Sequence, residues 1–292
     1  MTLPRGASRV RAAFAGADAA GRTALIAYLV AGHPDDQTSL AAATAALDGG
    51  ADVLEIGIPF SDPVADGPVI AAAGQAAVAA GGGLASAGRL IAALRAAGRK
   101  EPLLAMGYMN PLVAQGARTA LDDLASAGAD ALIIPDLPAG EDTQLERLVA
   151  HAGLGICFLV SPNTLPPRVE RAIRASTAFL YVVPLFGVTG ARDQVATTAL
   201  PFLRRIRTVT DGRVPVAVGF GVSRPEHVRE LGAAADGVIV GSAVVAALEE
   251  GGPARVRDLV ALLANATSRP RRAPDRRRRS LGAHERQSRQ RP

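Results

Sequence analysis

The sequence predicts an α/β chain folded as a (β/α)8 TIM barrel, a single domain over residues 1–267 that is followed by a disordered basic tail, 268–292. Three observations predict it. Eight short apolar runs alternate with Ala- and Leu-rich segments that carry charges at helical spacing. The runs are apolar almost throughout, as in parallel strands covered on both faces by crossover helices. After Asn265 the apolar periodicity stops, and the chain continues as SRPRRAPDRRRRSLGAHERQSRQRP.

Taken in order, residues 8–15 are read as an extra helix that closes the barrel floor. The strands follow as ALIAYLV (24–30), DVLEIGI (52–58), PLLAMGY (102–108), DALIIPD (130–136), LGICFLV (154–160), AFLYVV (178–183), VPVAVGF (214–220) and DGVIVG (236–241). GGADVLEI, AGADALII and AAADGVIV repeat one pattern: a small-residue helix exit, an Ala-Asp pair and an apolar strand. The spacing between them is irregular, so they are three joints of one barrel and not a solenoid. Gly50 and Gly128 suit the left-handed position that ends a helix.

At 292 residues with 49% hydrophobic content the chain can build a large core. Aromatics are only 3% and Trp is absent, so Ala, Val, Leu and Ile must fill that core. No apolar run reaches the roughly 20 residues of a membrane span. The basic start, MTLPRGASRVRAAFAG, lacks the apolar stretch of a signal peptide, and a cytoplasmic location is expected. The only cysteine, Cys157, falls within an apolar run, as a buried thiol would. The net charge of +5 is misleading. Ten arginines against Asp275 and Glu285 put +8 on the tail and leave −3 on residues 1–267, so nothing marks the barrel as a nucleic-acid binder. For the tail, contact with an anionic partner competes with a merely solvated role, and the solvated role is favoured.

The chemistry concentrates in DVLEIGIPFSDPVADGP, residues 52–68, where Glu55, Asp62 and Asp66 sit in or just after an apolar strand. A carboxylate inside such a strand costs free energy unless it is paired or used. In a barrel, strand C-terminal ends and the loops after them form the active face, so Glu55 and Asp66 can reach one mouth. Two carboxyls in different environments can divide proton transfer from charge stabilisation. Asp62, in FSDP, is read as a turn residue. Late in the chain three Gly-rich strand exits, GVTG (187–190), GFGVS (219–223) and GSA (241–243), offer close backbone approach and a helix start to a phosphate.

The only lysine, Lys100, precedes the third strand and so lies away from the mouth, where it cannot form a Schiff base with substrate. His33, His151, His227 and His284 do not combine with carboxylates at metal-ligand spacing. Acid/base chemistry without metal, on a phosphorylated substrate, is the reading that survives.

The run DVLEIGIPFSDPVADGP, with YMNP (108–111), PDLP (135–138), SPNT (161–164), YVVPLFGVTGAR (181–192), GFGVS and GSA, resembles the tryptophan synthase alpha subunit family over roughly residues 23–264. The resemblance implies retro-aldol cleavage of indole-3-glycerol phosphate to indole and glyceraldehyde 3-phosphate. It implies that Glu55 shuttles protons, that Asp66 faces the ring N–H, and that Tyr181 stands beside the glutamate. Tyr28, Tyr108, Leu132 and Asp136 would border the indole pocket. Gly190, Gly221, Gly241 and Ser242 would hold the phosphate, and Thr189 would help to close a loop over the site. No cofactor is implied for this chain; pyridoxal phosphate belongs to the beta subunit expected as its α2β2 partner, with the IPFSDP and YMNP segments as contact surfaces. The chain departs from the family at Pro184, Leu185 and Phe186, where a serine usually follows the tyrosine closely. A stand-alone lyase that releases free indole, and a feebly active regulatory subunit, remain open alternatives.

Overall fold

The computed structural model describes residues 3–184, 195–219 and 221–269. Its strands are β1 (Ala24–Val30), β2 (Val53–Gly57), β3 (Leu103–Met106), β4 (Ala131–Ile133), β5 (Gly155–Cys157), β6 (Leu159–Val160), β7 (Leu180–Val182), β8 (Val216–Gly219) and β9 (Gly237–Val240). They form one sheet in the order β5-β4-β3-β2-β1-β9-β8-β7-β6, and every neighbouring pair is parallel. Eight strands were expected and nine are found, because the fifth run divides at Phe158. Below the break it pairs with β4; above it, with β7. Phe158 donates its N–H to Ser176 Oγ at 3.1 Å and accepts from Tyr181 N–H at 3.0 Å, so one residue joins the two ends of the sheet and the barrel closes.

The helices are α1 (Arg5–Ala19), α2 (Asp36–Asp48), α3 (Pro68–Ala79), α4 (Leu84–Ala96), α5 (Met109–Ala114), α6 (Ala117–Ala127), α7 (Thr143–His151), α8 (Pro166–Ala175), α9 (Val195–Thr210), α10 (Pro225–Gly232) and α11 (Ser242–Ala264). Strand alternation divides the core into two shells. Leu25, Leu29, Leu54, Ile56 and Leu103 point outward into the helix layer, against residues such as Ala42, Ile91 and Leu263. Ala24, Ile26, Val53, Leu104, Ile133, Ala217 and Ile239 point into the lumen. The floor is closed by α1, longer at both ends than the sequence suggested, which adds Val10, Phe14 and Ala17 to the lumen cluster and stacks Phe14 5.5 Å from Phe179. Among the described residues no single helix is long and apolar enough to cross a membrane.

The repeated Ala-Asp joints have a single physical task. Asp52 donates its N–H to the carbonyl of Leu25 on the neighbouring strand, and its carboxylate accepts Leu25 N–H at 2.8 Å. Asp130 makes the same pair with Leu103, and Asp236 with Val216. Each carboxylate therefore satisfies a buried donor where a ladder begins. Each also meets arginine: Asp52 is gripped twice by Arg22, Asp130 lies between Arg9 at 3.0 Å and Arg95 at 2.6 Å, and Asp236 pairs with Arg207 at 2.8 Å. Where a fourth joint lacks aspartate, Thr177 does the same work, accepting Ile156 N–H on its hydroxyl at 2.9 Å and donating to the Ile156 carbonyl. Gly50 and Gly128 take positive φ, 98° and 104°, next to two of these joints, as expected.

The boundary drawn after residue 267 falls short of the packed chain. Ser268 bridges Arg22, and Arg269 donates its backbone N–H to Gly21. The Arg269 side chain is largely buried and reaches Thr23 Oγ1 at 2.7 Å, Asp18 at 3.0 Å and the Ala235 carbonyl. These two residues strap the floor near the end of α1, because the guanidinium fork can satisfy several floor acceptors at once.

Two stability outcomes are expected. Asp130→Ala should lower the unfolding free energy by roughly 3 kcal/mol in denaturant titration, since two arginines and a strand N–H lose a buried partner. A chain ended after Thr267 should melt about 5 °C below one ended after Arg269; equal melting temperatures would remove the strap from the account.

Candidate active site

Glu55 is the third residue of β2, flanked in register by Tyr28 on β1 and Leu104 on β3, and it is 1% exposed. Alternation turns it into the lumen, above the apolar plug of the floor. Its Oε2 has no hydrogen-bond partner among the described residues. Burial, with the charge of Asp66 adding to it, raises its pKa from the usual carboxylate range to about 8. The side chain is thus a neutral acid near pH 7.

Asp66 reaches the same space from the loop between β2 and α3. Burial raises its pKa to about 6, and a hydrogen bond from the Tyr108 hydroxyl pulls the other way. Tyr108 is itself fixed: its oxygen accepts Ala65 N–H at 3.1 Å, and its ring stacks 5.4 Å from Phe60. One phenol therefore holds the loop at Phe60, Ala65 and Asp66. The two carboxyls differ in proton affinity, so one can be a proton donor while the other stays ionised.

Around them is a cavity of about 330 Å³. Of the expected site residues, Tyr28, Glu55, Asp66, Tyr181, Gly221, Gly241 and Ser242 line it. Gly241 caps α11 and Ser242 is its first residue, so a helix N-terminus opens on the cavity, a place where backbone N–H groups favour an anion. Gly221 takes φ 69°, open to glycine at little cost. Thr189 and Gly190, with the whole GVTG segment, lie outside the described residues, as do Leu185 and Phe186.

Three expected residues lie elsewhere. Leu132 is fully buried in the outer shell; on β4 it is Ala131 and Ile133 that face the lumen, so Leu132 cannot border the cavity. Asp136 is exposed and accepts Met109 N–H at 3.0 Å, capping the start of α5. Tyr108 supports Asp66 from behind and does not line the cavity wall. Asp62 is exposed in the same loop and also does not line the cavity, in keeping with a turn role.

The sequence reading missed the apolar wall: Ile70, Met106, Leu159, Val183 and Ile239. Lumen alternation would have found Met106, Leu159 and Ile239, each two residues beyond another lumen residue. Ile70 comes from α3, whose position over the mouth has no local signal. Two of the histidines have partners outside the cavity lining. His33 stands 3.4 Å from Glu249 on α11, and His227 accepts Ser223 N–H at the start of α10. Among the described residues no three His, Cys, Asp or Glu are disposed to hold a metal ion.

A parallel barrel with two carboxyls of separated proton affinity and a glycine-lined helix start around one cavity at its strand C-terminal ends places the chain in the (β/α)8 class. Comparison with known proteins narrows this class. The family described as "Tryptophan synthase alpha chain" matches residues 14–271. The tryptophan synthase alpha chain of Roseiflexus castenholzii is 43% identical over 260 residues, 88% of this chain and 99% of that protein. That of Halorhodospira halophila is 44% identical over 264 residues, 89% of this chain and 96% of that protein. Among solved structures, a tryptophan synthase of Mycobacterium tuberculosis superposes with a TM-score of 0.82 at 38% identity, over 90% of this chain and 99% of that one. The alpha subunit of Legionella pneumophila gives a TM-score of 0.79 at 29% identity, over 89% and 98%. The chain belongs to the tryptophan synthase alpha chain family, which catalyses a carbon–carbon lyase half-reaction.

The raised pKa of Glu55 has a consequence for folding. Its folded-state value lies above the unfolded one, so its contribution to stability is intact below about pH 4.5 and is lost as pH rises toward about 8. Glu55→Gln should therefore melt higher than the parent at pH 8.5 by at least about 2 °C, with the gap closing at pH 5. A gap independent of pH would show that Glu55 is not held neutral by burial.

Proposed function

We propose that this chain cleaves indole-3-glycerol phosphate to indole and glyceraldehyde 3-phosphate, and passes the indole to a beta subunit for tryptophan synthesis. The observation that carries the reading is the buried Glu55, kept as an acid in a cavity that also holds Asp66 and ends at the Gly241–Ser242 helix start.

The chemistry fits that arrangement. Neutral Glu55 protonates the indole ring carbon that bears the glycerol chain. The positive charge that appears at the ring nitrogen is stabilised by ionised Asp66, which accepts the ring N–H. Glu55, now a carboxylate, takes the proton of the adjacent glycerol hydroxyl. The carbon–carbon bond breaks, its electrons return to the ring and neutralise the nitrogen, and the aldehyde carbonyl forms. Glu55 ends as it began, so the proton count closes over one turnover. Tyr181, in the same cavity wall, stands within electrostatic reach of Glu55 as a hydroxyl donor. The apolar wall of Met106, Leu159 and Ile239 suits a flat indole ring, and the helix start with Gly221 suits the phosphate.

An α2β2 assembly is part of the proposal. The IPFSDP and YMNP segments, joined to one another through Phe60 and Tyr108, supply the contact surface, with Val64 exposed on the loop after β2 and Val113 exposed on α5. Pyridoxal phosphate belongs to the beta subunit in this reading.

The test is indole release from indole-3-glycerol phosphate, with and without added beta subunit. Glu55→Gln and Asp66→Asn should each lower kcat by at least about 100-fold while substrate still binds. The parent's kcat/KM should be bell-shaped with limbs near 6 and 8, requiring Asp66 ionised and Glu55 protonated. No indole under either condition would refute the lyase assignment; full activity without the partner would refute dependence on it.

A further inference from the structure

Two tyrosines in the cavity wall are placed by the same geometry. Tyr28 on β1 is in register with Glu55 on β2, and Tyr181 on β7 with Ala217 on β8. Two residues further along each neighbouring strand, on the same face, comes a glycine: Gly57 after Glu55 and Gly219 after Ala217. A Cβ at Gly57 would stand 2.2 Å from the Tyr28 hydroxyl, and one at Gly219 would stand 2.6 Å from the Tyr181 hydroxyl. Each phenol thus leans diagonally over the adjacent strand and occupies the room of the absent side chain. The two seats differ in what lies beneath. Below the Tyr181 seat is Ala217; below the Tyr28 seat, on the same strand, is Glu55, and the loop carrying Asp66 lies beyond it.

Among the described residues the cavity offers no cation to a carboxylate: neither Lys, Arg nor His lines it, and Glu55 Oε2 has no hydrogen-bond partner. If Glu55 and Asp66 are the working pair, as proposed above, Glu55 passes through an ionised state in every turnover. That charge needs a donor, and hydroxyls are what the wall provides.

We infer that Tyr28, set on the room left by Gly57, is a positioning residue for the acid/base pair, its hydroxyl standing between Glu55 and Asp66 as the donor that stabilises their ionised forms. Other titratable groups lie within electrostatic reach of this space: Tyr181 in the wall on β7, and, outside the lining, Tyr108 in the loop after β3 and Cys157 on β5 below. Burial first, then the charges of Asp66 and Glu55, raises the Tyr28 pKa well above the usual phenol range, so the hydroxyl keeps its proton throughout the working range. Bordering the indole ring would ask only for an aromatic face at this position; the seat over Gly57 gives the hydroxyl a separate task.

Tyr28→Phe separates the two roles, because it keeps the ring and removes only the oxygen. The expected result is a kcat lowered roughly tenfold. KM should change by less than about twofold. Both limbs of the kcat/KM profile should move to higher pH, since each carboxylate loses a donor and holds its proton more tightly. A profile that stays in place, with any effect confined to KM, would overturn the inference and leave Tyr28 as a wall of the pocket. Glu55→Gln and Asp66→Asn are measured alongside. Parent-like turnover in either would sink the acid/base reading itself, an outcome distinct from an unmoved profile in Tyr28→Phe.

Discussion

The structure depends on keeping one carboxyl group out of water. Glu55 stands in the lumen of a parallel barrel with an oxygen that no described residue hydrogen-bonds, and its proton affinity follows from its burial. The environment required is specific. Below it, Val53, Phe179 and the α1 residue Phe14 must leave no room for solvent. Beside it, β1 and β7 must bring polar groups that do not carry positive charge, since a cation would return the acid to its ordinary range. Above it, the loop bearing Asp66 must be held at a fixed approach, which is the work of Tyr108, Ala65 and Phe60. A neutral acid and an ionised base in one small cavity can coexist only while all three conditions hold.

Much of this was legible in the chain itself. The strands could be read because a parallel strand covered on both faces is apolar at nearly every position, and all eight runs overlap observed strands. Glu55 was legible for the converse reason: a charge in such a run has no bland explanation. Other features were hidden. The division of the fifth run at Phe158 depends on Ser176 and on the strand that follows, so no local pattern announces it. Leu132 fell on the wrong face because a shift of one residue in a strand exchanges lumen for helix layer. Tyr108 and Asp136 were placed near the chemistry, and the structure makes them the ties that hold neighbouring loops together. The repeated Ala-Asp joints were visible as a pattern, yet their task involves the strand alongside, a partner that sequence spacing does not reveal.

The floor and the mouth use charge in opposite ways. At the floor Asp52, Asp130 and Asp236 each combine arginine with a strand N–H, so burial of the carboxylate there is offset by pairing. At the mouth no described residue pairs with the Oε2 of Glu55. The same residue class thus serves as a structural clamp at one end of the strands and as a proton carrier at the other, and the difference lies in whether an arginine from the helix layer reaches it.

The clamps have a further bearing on how such a barrel can change. They sit at the N-terminal ends of the strands and share no partner with the cavity lining, so substitutions at the two ends should combine additively. A lineage, or an engineer, could therefore remodel the wall that touches substrate one residue at a time and draw on stability added independently at the opposite rim. The three aspartates act as a reserve of tolerance for the chemistry above them.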